Sequence, residues 1–160
     1  MVQLSYRGNV SSDNVLSADN QQERLKTAGW VVGFTDGEGC FSISIFKNRT
    51  TKIGWQVMPE FVVTQGGKSL KSLEDLQKFF QCGKIFINRR YDNHHEHLYR
   101  YCVRSIKDLR VKIIPFFEEN QLRTAKQLDF LKFKSVIKLM EVKTHWTLEG
   151  VESIRKIAKS

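Results

Sequence analysis

The chain has 160 residues, and its 26 lysines and arginines against 17 aspartates and glutamates give a net charge of +9. This length predicts about one domain, and the positive charge predicts a polyanionic partner, either nucleic acid or an acidic membrane surface. No apolar run approaches the ~18 residues of a membrane-spanning helix, so we expect no membrane-spanning segment.

The cysteines and the N-terminus bear on the cellular compartment. Cys40, Cys82 and Cys102 are odd in number and have no paired spacing, which predicts reduced thiols and an intracellular protein. Residues 1–16 are polar and aperiodic, and they resemble neither a signal peptide nor a transit sequence. We interpret residues 1–16 as a flexible N-terminal arm and residues 17–160 as a single domain, with Ser17 as the N-cap of its first helix.

The segment from Leu25 to Thr35 is apolar and free of proline, which predicts a buried helix. Gly29 and Gly33 are four residues apart and therefore lie on one helix face. Each interior glycine costs about 1 kcal/mol relative to alanine, so the pair requires a packing reason. The bare face that the two glycines leave would allow a second helix to approach closely.

Two acids follow this helix in the sequence Asp36-Gly37-Glu38-Gly39, which predicts a tight turn. Carboxylates are disfavoured at a helix C-terminus, where the helix dipole is negative. One interpretation is a solvated acidic turn that ends the helix. The other is a pair of Glu38 side chains that converge from two packed helices around Mg²⁺, which binds one or two carboxylates together with substrate phosphates. A Ca²⁺-binding loop is excluded by the ligand spacing.

Alternating apolar residues predict four strands in two pairs. Phe41, Ile43 and Ile45 alternate with polar residues in the first strand, and the second extends from Trp55 to Gln65. Pro59 within the second strand implies an edge position or a bulge. Leucines and phenylalanines at helical spacing over 70–80 then predict a helix before the third strand.

The third and fourth strands carry a basic face that lacks acids. Tyr99, Tyr101 and Val103 alternate with Arg100, Cys102 and Arg104, and the only acid on the equivalent face of the second strand is Glu60. A two-stranded ribbon fits the DNA major groove, where arginine pairs with guanine and amides pair with adenine. The alternative is a plain solvated face. The candidate nucleic-acid contacts are Ser42, Ser44, Asn48, Arg49, Gln56, Lys68, Lys84, Asn88, Arg90, Arg100 and Arg104.

The C-terminal third reads as helices that complete the core. Ser105 is typical of a capping residue, Pro115 should stop or kink the helix that follows, and a long helix starts near Thr124. Thr147 starts a final helix. The run His94-His95-Glu96-His97 could suggest zinc, but adjacent side chains in a hairpin loop diverge, and we interpret the run as a polar loop.

The segment Val31-Val32-Gly33-Phe34-Thr35-Asp36-Gly37-Glu38-Gly39 resembles the signature of LAGLIDADG homing endonucleases, with Val31-Val32 and Thr35 as looser matches. The resemblance extends from Leu25 to Ile157. It is carried further by the segments Phe61-Val62-Val63-Thr64-Gln65, Cys82-Gly83-Lys84-Ile85, Ile113-Ile114-Pro115-Phe116-Phe117 and Thr124-Ala125-Lys126-Gln127-Leu128-Asp129-Phe130.

This resemblance implies an α+β fold of order αββαββα, in which a curved antiparallel sheet forms a DNA-binding saddle and the helices cover the other face. It also implies a site-specific DNA endonuclease. Because the chain contains one acidic motif, a complete site implies a homodimer through Gly29, Val32 and Gly33. Strands of about eight residues span roughly 26 Å each, so two subunits and their loops would contact about 20 base pairs as two related half-sites.

The resemblance also implies the roles of the site residues. Glu38 from each subunit and the Gly37 carbonyl would hold Mg²⁺, for which Ca²⁺ or Mn²⁺ could substitute in vitro. Gln65 would position a water, Lys126 or alternatively Arg123 would be the basic catalytic residue, and Asp36 would fix the helix-end turn. Two alternatives are an intron RNA maturase and a non-catalytic DNA-binding regulator of the same fold. An organelle is the implied location if the gene is organellar.

Overall fold

The structure is a computed structural model that describes residues 12–89 and 96–160. A long first helix is followed by two β-hairpins, which are separated by a second helix, and then by a helical C-terminal third. The elements are α1 (Ser12–Glu38), β1 (Gly39–Lys47), β2 (Trp55–Gly66), α2 (Leu70–Phe80), β3 (Lys84–Asn88), β4 (Leu98–Val103), α3 (Ile106–Asp108), α4 (Ile114–Glu119), α5 (Lys126–Glu141) and α6 (Leu148–Lys159).

The four strands form one antiparallel sheet in the order β1-β2-β4-β3. Phe61 of β2 lies opposite Phe41 of β1 and Val103 of β4, so these three residues share one face of the sheet. Pro59 lies in the half of β2 that pairs with β1 alone, because the pairing with β4 begins at Phe61. The predicted α+β fold, its αββαββα order and the edge position of Pro59 are confirmed.

The helices cover one face of the sheet through a cluster of phenylalanines. Phe41 stacks on Phe61 with 5.2 Å between ring centroids, and Phe117, Phe130 and Phe133 lie within 5.3–5.4 Å of Phe41. Aromatic rings bury a large apolar area, and such pairs add about 0.5–1.5 kcal/mol each beyond that area. The core therefore fixes α4 and α5 on this face, and the strand residues of opposite parity form the second face.

The first helix differs from its prediction at both ends. It begins at Ser12, so Ser17 is an interior residue rather than the N-cap, and residues 12–16 of the predicted arm are helical. Residues 1–11 lie outside the described residues. The helix also continues through the predicted turn to Glu38, and Gly39 starts β1 directly. Glycine is required there because a Cβ on Gly39 would lie 2.6 Å from Thr35 Cγ2.

The burial predicted for this helix is also wrong for the single chain. From Ala18 to Glu38, only Val31 and Thr35 are buried. Leu25 is exposed, and Trp30, which stacks on Phe34 at 5.3 Å between ring centroids, is 39% exposed. The apolar segment therefore presents a surface, and this surface lies on the side of the helix opposite Val31 and Thr35.

The C-terminal caps follow the sequence. Ser105 Oγ accepts a hydrogen bond from Asp108 N, and Thr147 Oγ1 accepts one from Gly150 N. Pro115 does not stop the helical segment: a π-helical turn over Leu109–Ile113 precedes it, and α4 continues to Glu119. Proline lacks the N–H that would continue the regular hydrogen-bond ladder, which accounts for this irregular turn.

Two sequence predictions concern the state of the cysteines and the presence of membrane-spanning helices. Cys40, Cys82 and Cys102 are all free thiols. Within residues 12–89 and 96–160, no helix is long and apolar enough to cross a bilayer.

Candidate active site and nucleic-acid interface

The acid assigned to metal binding is the last residue of α1. The Glu38 side chain is exposed, and within the described parts of the chain its carboxylate has no hydrogen bond or ion pair. Gly37 beside it is also exposed, with no atom within 4 Å of the place where a Cβ would lie. An unpaired carboxylate at the negative end of a helix is unfavourable unless a cation neutralises it. Glu38 is therefore open to an external cation.

The last turn of α1 is connected to the start of α5. Asp36 accepts hydrogen bonds from Arg123 N at 2.8 Å, Thr124 N at 3.2 Å and Thr124 Oγ1 at 2.7 Å. Lys126 Nζ donates to the Thr35 carbonyl at 3.0 Å. Because α1 has no basic residue in its last turn, Lys126 supplies the positive charge that a helix C-terminus favours. These contacts place the two residues proposed for the basic role, Lys126 and Arg123, beside the end of α1.

The environment of Asp36 lowers the pKa of its carboxyl group. Partial burial raises the pKa, but the hydrogen bonds from Arg123 and Thr124 and the charge of Lys126 outweigh that effect. A carboxyl group whose pKa is lowered by folding adds stability above its unfolded pKa, and this stability is lost as the pH falls through the folded pKa.

Asp36→Ala should lower the free energy of unfolding at pH 7 by about 1 kcal/mol, the usual cost of losing a carboxylate that binds backbone N–H groups at a helix start. The difference from the wild type should shrink as the pH falls below 3.8, the ordinary pKa of the group. Urea unfolding at pH 7 and in acid measures both effects. Asp129→Ala is the control, since Asp129 lies in the first turn of α5 and makes no hydrogen bond in the described chain. An equal loss of unfolding free energy in Asp36→Ala and Asp129→Ala would contradict the role of the Asp36 contacts.

Gln65 lies near the same end of the sheet as Glu38. Gly39, the residue after Glu38, pairs with Val63, and Gln65 follows two residues later, opposite Tyr99 of β4. Its side chain is half-buried. The register therefore brings the end of β2 and the end of α1 to the same end of the sheet.

The face that the helices leave uncovered, here the open face, carries the polar strand residues of the sequence prediction. The pairs Ser42–Glu60, Cys102–Val62 and Cys102–Lys84 are opposite one another in register, which places them all on this face. The candidate contacts on the open face are Ser42, Ser44, Gln56, Lys84, Asn88 and Arg100, with Arg104 directly after β4.

The remaining candidate contacts lie outside the strands. Asn48 Nδ2 donates to Gln56 Oε1 at 2.5 Å, so these two amides are bonded to each other rather than free. Arg49 is exposed in the loop between β1 and β2, and Lys68 is exposed in the short 3-10 helix before α2. Arg90 lies outside the described residues.

Glu96 has a structural role that the zinc alternative does not include. Its Oε1 accepts a hydrogen bond from Lys68 N at 2.5 Å, at the start of the helical segment that leads into α2. His94 and His95 lie outside the described residues. Within the ranges that are described, no three His, Cys, Asp or Glu residues are grouped as metal ligands would be.

The sequence prediction placed Glu60 on this face but did not assign it a partner. Glu60 accepts from Arg100 Nη2 at 3.0 Å and from Arg104 Nε at 2.6 Å. Both arginines are therefore bound within the chain, a contact that the sequence prediction did not include. The signal that could have identified this network is Glu60 itself, the only acid among the described strand residues of this face.

The glycine face of α1 is open in the single chain. No atom lies within 4 Å of a Cβ built on Gly29 or Gly33. Val32 differs from them, because it is half-buried and packs against the main core. Of the three candidate interface residues, the two glycines are thus free to meet another surface, and Val32 is partly committed to the fold.

A four-stranded antiparallel sheet with an open basic face, beside a helix that ends in an unpaired acid, defines an α+β fold with an acidic helix-end site. The family model described as LAGLIDADG endonuclease matches residues 31–137, and the chain belongs to this family. A relative in Neurospora crassa, the probable intron-encoded endonuclease 3, is 36% identical over 138 residues, which are 85% of this chain and 25% of the relative.

Solved structures agree with this assignment. The homing endonuclease I-TnaI is 40% identical with a TM-score of 0.72, and the match covers 82% of this chain and 84% of that one. I-SmaMI, solved with an uncleaved DNA target in the presence of calcium ions, is 30% identical with a TM-score of 0.74, and the match covers 82% of this chain and 43% of that one. The chain spans 25–32% of the length of several curated relatives that it matches.

Proposed function

We propose that the protein is a homing endonuclease that cuts both strands of a specific DNA site by phosphodiester hydrolysis. The observation that carries this proposal is the exposed, unpaired Glu38 carboxylate at the end of the glycine-faced helix. A regulator that only binds DNA would have no use for an uncompensated acid at a helix C-terminus, where it is unfavourable. Family membership and the DNA complex of I-SmaMI support the same proposal.

The complete site requires a second copy of the motif helix. The open glycine face of α1 suits close contact with another helix, and Trp30 and Leu25 add exposed apolar surface to it. In a homodimer joined through Gly29 and Gly33, with Val32 at the margin, the two Glu38 side chains converge at the paired helix ends. The motif helices then form the dimer interface and two halves of one site.

The residues at this point fit a hard divalent cation. Glu38 carboxylates and the Gly37 carbonyl offer oxygen atoms, which Mg²⁺ prefers, and DNA phosphates would complete the coordination. When bound, Mg²⁺ supplies Lewis-acid stabilisation of charge on the phosphate oxygens. We propose Mg²⁺ as the cofactor, with Ca²⁺ or Mn²⁺ able to occupy the site in vitro. The calcium-containing structure of I-SmaMI supports a divalent-ion site in this fold.

Two neighbouring side chains would act directly on the reacting groups. The Gln65 amide would orient a water through hydrogen bonds from its position at the end of β2. The Lys126 ammonium, held near the end of α1 by the Thr35 carbonyl, would stabilise negative charge that develops on the phosphate. Arg123 is the alternative, since its backbone is bonded to Asp36 while its side chain is exposed.

The open face would bind the major groove. Two copies would read about 20 base pairs as two half-sites that follow the two-fold axis of the dimer. The names of several relatives describe them as intron-encoded. We propose that the gene of this protein also lies in an intron, and that the protein acts in a reducing compartment, an organelle if the intron is organellar.

Selection of cut sites from a randomised DNA library with Mg²⁺ tests the proposed function. We expect enrichment of one site of about 20 base pairs with two related halves. Binding without cutting would favour the non-catalytic regulator, and tight binding of intron RNA without DNA cleavage would favour the maturase. Cleavage of asymmetric sites only would indicate that the second motif belongs to a different domain.

A further inference from the structure

Three residues at the centre of the open face are buried although none of the described helices covers this face. Val62 of β2 and Cys102 of β4 lie opposite each other and are only 6% and 3% exposed, and Glu60 is 6% exposed. Arg100, which pairs with Thr64, reaches Glu60 past Val62 and Cys102, whereas Arg104 binds the same carboxylate from the residue after β4. The Arg100 side chain therefore crosses the positions of Val62 and Cys102, where its apolar stem can cover them.

The Cys102 thiol reports the same arrangement. Burial is the largest effect on this thiol and raises its pKa, and the charges of Arg100, Glu60 and Arg104 act on it as well. The carboxylate of Glu60 uses one oxygen for each arginine. Each oxygen keeps a second lone pair, but at 6% exposure the carboxylate is too buried to meet a DNA strand directly.

Each arginine keeps donors that can meet DNA. A guanidinium has five N–H groups, and the Glu60 contacts use Nε of Arg104 and one Nη2 hydrogen of Arg100. Arg104 therefore retains both of its terminal nitrogens, the pair that can bind guanine O6 and N7 together. The side chains of Arg100 and Arg104 are 38% and 47% exposed, so these donors can be reached from the open face.

Phe86, in addition to Glu60, contacts Arg104. The Arg104 guanidinium lies 5.6 Å from the Phe86 ring centroid, a distance typical of a cation–π contact. Phe86 lies opposite Arg100 on β3 and is 43% exposed. Its ring is an apolar group next to two basic ones, a surface that matches a thymine methyl next to guanine.

We propose that Glu60 is a positioning residue that orients Arg100 and Arg104 to read guanine in the major groove, with Phe86 against a neighbouring thymine methyl. A free arginine on a long side chain can bind any phosphate, and phosphate contacts carry no sequence information. Glu60 opposes this in two ways, because it fixes the guanidinium planes and its charge weakens attraction to the backbone. The inference rests on the proposed function and assigns the specificity of the same surface.

Glu60→Gln tests the proposal by binding measurements on single-base variants of the selected site, at several salt concentrations. The variant should lose about 5- to 150-fold of its preference at one or two adjacent base pairs in each half-site. Its affinity for unrelated DNA should rise, and the salt dependence should become steeper, because the freed arginines bind phosphates. Preferences elsewhere in the site should stay unchanged.

Glu141→Gln is the matched control, because Glu141 at the end of α5 forms an ion pair with Arg110 and the change removes the same charge. It should leave every base preference unchanged. Arg104→Lys is a second variant that keeps the charge, lacks the guanidinium plane and should lose preference at the same base pairs. Equal weakening of all sequences by Glu60→Gln, or unchanged preferences in Glu60→Gln and Arg104→Lys, would overturn the proposal. If the wild-type protein bound its site without cutting it, the proposed endonuclease function would be overturned. The base preferences of the variants in binding would still test the role of Glu60.

Discussion

Replacing Glu38 with glutamine should reduce the rate of DNA cleavage by about 100-fold or more, the usual scale for removing a group that stabilises transition-state charge. Glutamine keeps the size of the side chain but removes the negative charge that would hold a divalent cation. DNA affinity should stay unchanged or increase, because two converging carboxylates no longer face the phosphates. Single-turnover cleavage with Mg²⁺ and binding in Ca²⁺ measure the two effects separately.

Glu23→Gln is the matched control for this prediction. Glu23 is an exposed acid on the same helix, four turns before Glu38, and its loss should leave the cleavage rate unchanged. In mixtures of wild-type and Glu38→Gln chains, heterodimers should have an impaired site. Full cleavage by the purified Glu38→Gln protein in Mg²⁺ would show that another group holds the metal.

The sheet could be predicted from the sequence because apolar and polar residues alternate along its strands with a period of two residues. Alternation of Tyr99, Tyr101 and Val103 with Arg100 and Cys102 fixes which residues face the helices, and the register bears this out. Ser105 and Thr147 were predictable as caps for a similar reason, since a cap depends on residues only three positions away. Local chemistry thus specified both the strands and these helix starts.

Contacts between residues distant in sequence could not be predicted. Asp36 and Thr124 are 88 residues apart, and Arg104 and Glu60 are 44 apart. No spacing rule connects such pairs, since they meet only after the sheet and α5 have packed. The sequence placed Arg100 and Arg104 on the correct face but could not show that one carboxylate holds both.

The first helix was misjudged for two physical reasons. It begins at Ser12, and its N-terminal half has a polar sequence without the apolar period that marks a packed helix. Its apolar half was interpreted as a buried helix, but Leu25 and Trp30 are exposed in the single chain. Apolarity predicts burial without identifying the partner, and in our proposal the partner is a second copy of the same helix.

Gly33→Leu should disrupt the proposed dimer while leaving the single chain folded. No atom lies within 4 Å of a Cβ at Gly33, and leucine is a better helix former than glycine by about 0.8 kcal/mol, so the subunit should be at least as stable as before. In the dimer, the side chain would fill the space where the helices meet. Overpacking costs about 1–3 kcal/mol per site, and both copies carry the change, so dimer dissociation should increase roughly 30-fold or more.

Sedimentation velocity over a range of protein concentrations measures this shift, and cleavage should fall with it because each subunit holds half of the site. Ser135→Leu is the control, since it adds the same side chain to an exposed position of α5, away from the glycine face. A high concentration of Gly33→Leu protein should restore part of the cleavage activity as dimers re-form. An unchanged dimer in Gly33→Leu would place the interface on another surface, and monomers that cut both strands would contradict the two-copy site.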